Sequence, residues 1–140
     1  MKQYKVLVLT HGNLAEAFVT TSKLILGDVE GICYLNMPEI LDSEKYCRQI
    51  VEIVEASREE GLLIMTDLLG GSPFLHCSQI MKDYLDSIEL VTGCNLPMLL
   101  EVGNAIKDKS VSELKGIAIE AGRSGIVDLK ERFGGQSDES

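Results

Sequence analysis

Basic residues are scarce in this sequence of 140 residues, which has 13 Lys and Arg against 22 Asp and Glu and a formal net charge of −9. No cluster of Lys and Arg is longer than a pair. Binding to the phosphates of nucleic acid or to an anionic membrane surface depends on concentrated positive charge. We therefore expect neither nucleic acid nor a membrane surface as a direct partner.

The sequence also lacks a long hydrophobic segment and closely paired cysteines. No apolar run approaches the roughly 20 residues that cross a bilayer, and the N-terminus leads straight into a short apolar strand rather than a signal peptide. The cysteines, at positions 33, 47, 77 and 94, show no C-x-x-C spacing. We therefore expect reduced thiols, no metal, no cofactor and a cytoplasmic location.

The chain does contain a regular alternation of strand and helix patterns. Apolar runs of strand length begin near residues 5, 32, 62 and 88, and apolar residues at helical spacing follow each run. This alternation predicts one α/β domain over residues 1–133, a three-layer doubly wound parallel sheet with strand order 2-1-3-4. Residues 126–129 fit either a short edge strand or a last helical turn, and residues 134–140 are expected to be a disordered polar tail.

One stretch organises the predicted site. The apolar run at 62–66 ends on Asp67, passes through Gly70 and Gly71, and reaches Ser72 and Pro73. A serine followed by proline is typical of a helix N-cap and first helical position. The stretch therefore predicts a strand, a tight turn and a helix that starts after Ser72.

The first strand ends in a similar way. Lys5–Leu9 is followed by Thr10, His11 and Gly12, and Asn13 with Glu16 predicts a capping box at the next helix. In the order 2-1-3-4 the first and third strands are neighbours at the switch point, where ligand sites of such sheets lie. We expect His11 and Asp67 to lie within hydrogen-bonding distance there.

Such a pair predicts a nucleophile. If Asp67 accepts a hydrogen bond from one ring nitrogen of His11, the other nitrogen keeps its lone pair. Hydroxyl groups, flexible glycines and two helix N-termini beside it are typical of phosphoryl binding. The predicted phosphoryl-binding residues are Thr10, Gly12, Gly71 and Ser72, and the predicted reaction is metal-free transfer between protein side chains.

Other functions fit the residues less well. A receiver domain needs an acidic cluster for Mg²⁺ at the first strand, where Thr10 and His11 stand. A histidine phosphatase needs an arginine beside its histidine, and a serine hydrolase needs a G-x-S-x-G turn, which Gly71-Ser72-Pro73 is not. The remaining alternative is a non-catalytic flavodoxin-like module that binds a flavin or nucleotide.

Three motifs together resemble a known family. They are Thr10-His11-Gly12, the run from Asp67 through Gly70-Gly71-Ser72-Pro73-Phe74, and Gly93-x-Asn95-x-Pro97-Met98-Leu99. Over residues 5–133 the chain resembles the IIA domain of the mannose-class phosphoenolpyruvate:sugar phosphotransferase system (PTS). The resemblance implies that His11 accepts a phosphoryl group from the phosphocarrier HPr and passes it to a histidine of the IIB component. It further implies that Asp67 orients His11 and that Ser72 binds the phosphoryl group.

The resemblance also implies an assembly. Membrane components IIC and IID would take up the sugar, and the IIA protein would be a homodimer that exchanges a C-terminal antiparallel strand, matched by residues 126–129. Leu75 and His76 stand where relatives often carry asparagine after the Gly-Gly-Ser-Pro-Phe motif, and the role of His76 is left open. Because a short polar tail follows the domain, we expect the IIB partner to be a separate polypeptide.

Overall fold

The computed structural model describes residues 3–139, with their side chains as far as residue 134. Strands and helices alternate as far as the fourth strand, and three helices follow it. The elements are β1 (Val6–His11), α1 (Leu14–Leu26), β2 (Ile32–Met37), α2 (Ser43–Ala56), β3 (Leu62–Thr66), α3 (Ser72–Met81), β4 (Ile88–Val91), α4 (Leu96–Ala105), α5 (Val111–Ser124) and α6 (Leu129–Glu139).

The four strands form one parallel sheet in the order β2-β1-β3-β4, so the predicted order is confirmed. Leu9 of β1 lies opposite Leu35 of β2 on one side and Thr66 of β3 on the other. The connections from β1 and β3 run in opposite directions across the sheet. The carboxyl ends of these two neighbouring strands therefore form the switch point of the fold.

The core occupies both faces of the sheet. Along β1, Val6 and Val8 face one apolar layer while Leu7 and Leu9 face the other, and all four are fully buried. Helices α1, α4 and α5 pack on the first face, and α2 and α3 pack on the second. Strands buried on both faces explain why the runs are continuously apolar rather than alternating. The predicted three-layer architecture is confirmed.

Two helix starts differ from the prediction. Helix α3 begins at Ser72 with Gly71 at the cap position, one residue earlier than expected. Asn13 does occupy the cap position of α1, but its side chain makes no cap hydrogen bond with the described residues. Both differences bear on the site, because they decide which amide N–H groups are already engaged.

The C-terminal region departs further. Residues 126–128 are irregular, and Leu129 begins α6, which the sequence pattern did not predict. Strand exchange by this segment stays a prediction. The tail over 134–140 is expected from the sequence to be disordered; the backbone of α6 extends through it as far as Glu139, and Ser140 lies outside the described residues. Within residues 3–139, none of the helices has both the length and the apolar character needed to cross a bilayer.

Candidate functional site

His11 and Asp67 meet at the switch point. His11 is the last residue of β1, and Asp67 directly follows β3. The Nδ1 atom of His11 lies 2.9 Å from Oδ2 of Asp67, and the backbone N–H of His11 donates to the same oxygen over 3.1 Å. The other carboxylate oxygen accepts a hydrogen bond from the backbone N–H of Leu68 at 3.0 Å. The predicted pairing is therefore present in the structure.

This geometry determines the tautomer of the neutral ring. A carboxylate only accepts hydrogen bonds, so Nδ1 of His11 must carry the hydrogen and Nε2 keeps the lone pair. The His11 side chain is 45% exposed, whereas that of Asp67 is 12% exposed. The unprotonated nitrogen is thus on an accessible ring whose other nitrogen is held by a largely buried carboxylate.

The pKa of Asp67 reflects two opposing effects. Burial raises the pKa of this carboxyl group, but hydrogen bonds from the side chain and backbone of His11, together with the charge of a protonated ring, lower it. The net shift of the pKa is downward. Asp67 is consequently an anion throughout the neutral pH range and can stabilise positive charge that forms on His11.

Gly71 packs directly against the imidazole ring. A Cβ atom at this position would lie 2.7 Å from Cε1 and 3.3 Å from Nε2 of His11. The φ of Gly71 is −71°, a value that any residue adopts. Close contact with the ring, rather than backbone conformation, is therefore what calls for glycine here.

Helix α3 presents its N-terminus beside this ring. Its first residue, Ser72, is exposed and directly follows Gly71. The first N–H groups of a helix have no partner within the helix, and in this turn they belong to Ser72 and Phe74, since proline has none. The serine hydroxyl and these amides are suitable donors to an anion held on His11.

The N-terminus of α1 is occupied differently. The Thr10 side chain is fully buried, and its hydroxyl accepts from Ala15 N–H at 2.6 Å and donates to the His11 carbonyl oxygen at 3.1 Å. Asn36 of β2 accepts from the N–H of Glu16 at 3.3 Å and donates to its carboxylate at 2.9 Å. Two of the first amides of α1 are therefore already paired with side chains of neighbouring strands.

Gly12 forms a turn between β1 and α1. Its φ of +57° favours glycine, and it exchanges two backbone hydrogen bonds with Met37, at 2.8 and 3.1 Å. Among the predicted site residues, the structure thus brings His11, Asp67 and Gly71 into contact and places Ser72 next to them. The Thr10 hydroxyl and the Gly12 amide are engaged within the fold.

Some contributors were missed by the sequence analysis. The amide of Leu68 had no distinguishing sequence pattern, because any residue after Asp67 supplies it. Asn36 could have been predicted as a contributor, because it lies opposite Thr10 in the parallel register of β2 and β1. The edge also carries exposed leucines on α1, the turn after β3 and α3, namely Leu14, Leu68, Leu69 and Leu75.

Comparison with known proteins identifies the family of this chain. The sequence model of the EIIA-man family, described as the PTS system fructose IIA component, matches residues 5–118. Because this match extends over most of the chain, it defines the class of protein as a IIA component of the phosphotransferase system. The chain belongs to the EIIA-man family.

Individual relatives are consistent with this family. The chain is 33% identical over 132 residues to the PTS system mannose-specific EIIAB component of Escherichia coli, a match that covers 91% of this chain and 40% of the relative. It thus spans about two fifths of the length of that curated relative. It is 26% identical to the PTS system sorbose-specific EIIA component of Lacticaseibacillus casei, over 92% of this chain and 87% of the relative.

Solved structures show the same fold. The crystal structure of phosphotransferase system component EIIA from Streptococcus agalactiae superimposes with a TM-score of 0.83 at 28% identity, covering 92% of this chain and 99% of that one. The PTS IIA protein associated with the fucose utilization operon of Streptococcus pneumoniae gives a TM-score of 0.77 at 26% identity, covering 95% and 99%. Family membership supports a role as a phosphoryl carrier in a sugar PTS.

Proposed function

We propose that this protein is a cytoplasmic phosphoryl carrier that accepts a phosphoryl group from phospho-HPr on His11 and passes it to a histidine of the IIB component. Membrane components IIC and IID would then take up the sugar as it is phosphorylated. The observation that carries the proposal is the bond between His11 Nδ1 and Asp67 Oδ2, which leaves Nε2 with its lone pair on an exposed ring.

The transfer step follows from this geometry. The lone pair of Nε2 attacks phosphorus in line with the bond to the donor, a new N–P bond forms, and the electron pair of the breaking bond returns to the donor side chain. The ring of His11 becomes positively charged, and Asp67 stabilises that charge while the Nδ1 hydrogen stays in place. Ser72 and the first amides of α3 hold the phosphoryl oxygens.

For Thr10 and Gly12 we propose an indirect contribution to phosphoryl binding. The Thr10 hydroxyl fixes the start of α1, and Gly12 shapes the turn that aims His11 at the edge of the sheet.

The exposed leucines around this edge suit a transient protein partner, because transfer between two side chains requires two protein surfaces to meet there. We further propose a homodimer, since β4 ends the sheet with one side unpaired within residues 3–139 and Ile126 nearby is exposed.

The proposal is tested by measuring intact mass after incubation with phosphoenolpyruvate, enzyme I and HPr. The wild-type protein should gain one acid-labile phosphoryl group, located on His11 rather than His76 by fragmentation. His11→Ala should gain none. Asp67→Asn loses a charge-assisted hydrogen bond to the ring, so it should accept the group at least about tenfold more slowly.

The assay needs a folded protein and active HPr, which circular dichroism and a second, known IIA acceptor establish. If well-folded wild-type protein gains no mass under these conditions, the carrier function is wrong. The flavodoxin-like ligand-binding module is then the function to pursue, by native mass spectrometry for a bound flavin or nucleotide.

A further inference from the structure

His76 is the second histidine of the chain, and its ring bonds to the start of its own helix. It lies one turn beyond Ser72 on α3, is half-buried, and has Nδ1 2.7 Å from the carbonyl oxygen of Ser72. A carbonyl oxygen only accepts hydrogen bonds, so Nδ1 of His76 must be the donor. The neutral ring therefore carries its hydrogen on Nδ1 and its lone pair on Nε2.

The carbonyl group that His76 holds is the one that orients Ser72. It belongs to the peptide between Ser72 and Pro73, which has no N–H of its own. Within α3 this carbonyl oxygen accepts the backbone N–H of His76, and the ring adds a second donor to the same oxygen. The direction of this carbonyl depends on the ψ angle of Ser72. A second bond to it therefore further restrains where the N–H and hydroxyl of Ser72 point. Ser72 directly follows Gly71, which packs against the His11 ring.

The ring of His76 is in turn supported by Tyr46 of α2. The two ring centroids lie 5.3 Å apart with an interplanar angle of 85°, an edge-to-face contact. Tyr46 is only 2% exposed, so its own ring is fixed in the core. Its hydroxyl has no hydrogen-bond partner among the described residues, and it is the ring of Tyr46 that contacts His76.

We propose that His76, supported by Tyr46, is a positioning residue for phosphoryl transfer: it holds the Ser72 carbonyl and thereby fixes the donors at the start of α3. This inference rests on the proposed function, because it is the phosphoryl group on His11 that these donors hold. The buried ring of Tyr46 thus supports the ring of His76, and the ring of His76 in turn restrains Ser72.

Two variants of His76 separate its two contacts. His76→Phe keeps an aromatic ring against Tyr46 and removes the donor to Ser72. His76→Asn places an amide N–H where Nδ1 was and removes the ring. We expect His76→Phe to slow phosphoryl acceptance from phospho-HPr by about three- to tenfold, the range spanned by one neutral hydrogen bond, and His76→Asn to recover most of that loss. Equal rates for wild type and His76→Phe would overturn the proposal.

A double-mutant cycle shows whether His76 acts through Ser72. The slowing caused by His76→Phe should be smaller when Ser72 is already alanine, because one of the two groups being positioned is then absent. If the two substitutions have fully independent effects on the rate, His76 does not act through Ser72 and the proposal is wrong. The resting tautomer is a further readout: imidazole ¹⁵N resonances of wild-type His76 should show hydrogen on Nδ1, and the opposite tautomer would contradict the bond to Ser72.

A titration with inorganic phosphate needs no phosphoryl donor, so it distinguishes failure of this inference from failure of the carrier function. Inorganic phosphate is titrated into wild type, His76→Phe and His76→Asn while the backbone amide resonances of Ser72 and Phe74 are followed. Weaker binding in His76→Phe, restored in His76→Asn, supports the positioning role whether or not HPr is the donor. The same affinity in all three proteins, or no binding in wild type, counts against it.

The support from Tyr46 is tested with a matched pair. Tyr46→Phe removes only the unpartnered hydroxyl and should leave the rate of phosphoryl acceptance within about twofold of wild type, with Ser72 unperturbed. Tyr46→Leu removes the edge-to-face contact and should slow acceptance in the same direction as His76→Phe. A slow Tyr46→Phe variant would mean that the hydroxyl, rather than the ring, carries the contact.

Discussion

A single oxygen of Asp67 accepts hydrogen bonds from both the ring and the backbone of His11. The two donors come from one residue, so the carboxylate restrains the rotation of the ring relative to its own main chain. The second oxygen is held by the Leu68 amide, which restrains the carboxylate in turn. The direction of Nε2 is thus set in the free protein, and for the transfer that we propose this would remove part of the entropic barrier.

Asp67 also ties the stability of the fold to pH. Its pKa in the folded protein is lowered from the ordinary value of 3.8 because the bonds from His11 outweigh the effect of burial. The stabilisation is fully present above that ordinary value and is lost as the pH falls through the lower pKa of the folded state.

Urea unfolding from acidic to neutral pH measures this. The free energy of unfolding of wild type, taken relative to Asp67→Asn, should be larger near neutral pH and decline on acidification below about pH 4. A difference that stays constant across this range would show that Asp67 is not stabilised as an anion.

Gly71 is the position where a single methyl group should reach the nucleophile. Gly71→Ala places Cβ in contact with Cε1 of His11, so the ring must turn away from its bond to Asp67. Since the backbone accommodates alanine, we expect phosphoryl acceptance to fall by about 10- to 100-fold, with the free energy of unfolding changed by less than about 1 kcal/mol.

Gly116→Ala is the matched control for this substitution. Gly116 lies inside α5, and apart from its chain neighbours and its own helix backbone no atom of the described side chains and backbone lies within 4 Å of an added Cβ. Alanine there should leave the transfer rate unchanged and raise the free energy of unfolding by about 0.5–1 kcal/mol. Transfer at the wild-type rate by Gly71→Ala would mean that the ring adapts to the methyl group.

At the level of elements, the two helix N-termini at the site have different roles. The start of α1 is held by the Thr10 hydroxyl from within the core. The start of α3 is bounded by glycine and presents its first amides at the surface. The Ala15 and Glu16 amides of α1 are already paired with side chains, whereas α3 has no side-chain cap among the described residues, so we expect α3 to be the phosphoryl-binding helix.

Substitution of Thr10 tests this division. Thr10→Val keeps the shape of the side chain but leaves the Ala15 N–H buried without its acceptor, which should lower the free energy of unfolding by about 1–2 kcal/mol. Thr10→Ser retains the hydroxyl, so its free energy of unfolding should fall by much less than that of Thr10→Val. The stability of both variants is measured by chemical denaturation, and a wild-type stability for Thr10→Val would show that the hydroxyl is not needed as a cap.

The site could be predicted from sequence where strand ends determine position. His11 and Asp67 follow buried apolar runs, and the short list of allowed topologies makes those runs neighbours. The caps could not be predicted from local sequence, because Asn13 and Thr10 are both able to accept a hydrogen bond from the start of α1. The choice depends on how the turn at Gly12 directs each side chain, which is a tertiary effect.

The contact between Tyr46 and His76 shows the same limit. Helical spacing is compatible with either Tyr46 or Cys47 on the same face of α2 as Ile50 and Val54, and it is Tyr46 that is buried there while Cys47 is half-buried. The face that α2 turns inward depends on its packing against α3, and nothing in the spacing of α2 alone reports this. A pairing of aromatic rings across two helices therefore requires the structure.

At the scale of the whole molecule, the sheet has an open side. The outer edge of β4 is unpaired within the described residues, and beside it lies a groove lined by the apolar side chains of Val91, Met98, Ile119 and Ile126. Such an edge is prone to pair with another chain. The acidic net charge limits nonspecific association, so a specific symmetric contact is the form of assembly that we expect.

Sedimentation velocity tests the proposed homodimer. Wild type should sediment as a dimer, and Ile126→Asp, which places a charge beside β4, should shift the population toward monomer. Ile40→Asp is the control, because Ile40 is also highly exposed but follows β2 at the opposite side of the sheet. A monomeric wild type, or equal effects of both substitutions, would contradict an interface at β4.

The exposure of His11 has a consequence for the energetics of the proposed phosphoryl transfer from one protein to the next. The first turn of α3 offers the N–H groups of Ser72 and Phe74 but none from Pro73, and the ring itself is 45% exposed. On the proposed function, a phosphoryl group on His11 would be bound by few donors and would gain little free energy on this protein. Its transfer potential should therefore remain close to that on the donor, and the reaction should run in both directions. The ratio of phosphorylated to unphosphorylated partners, by mass action, then decides which way the group moves.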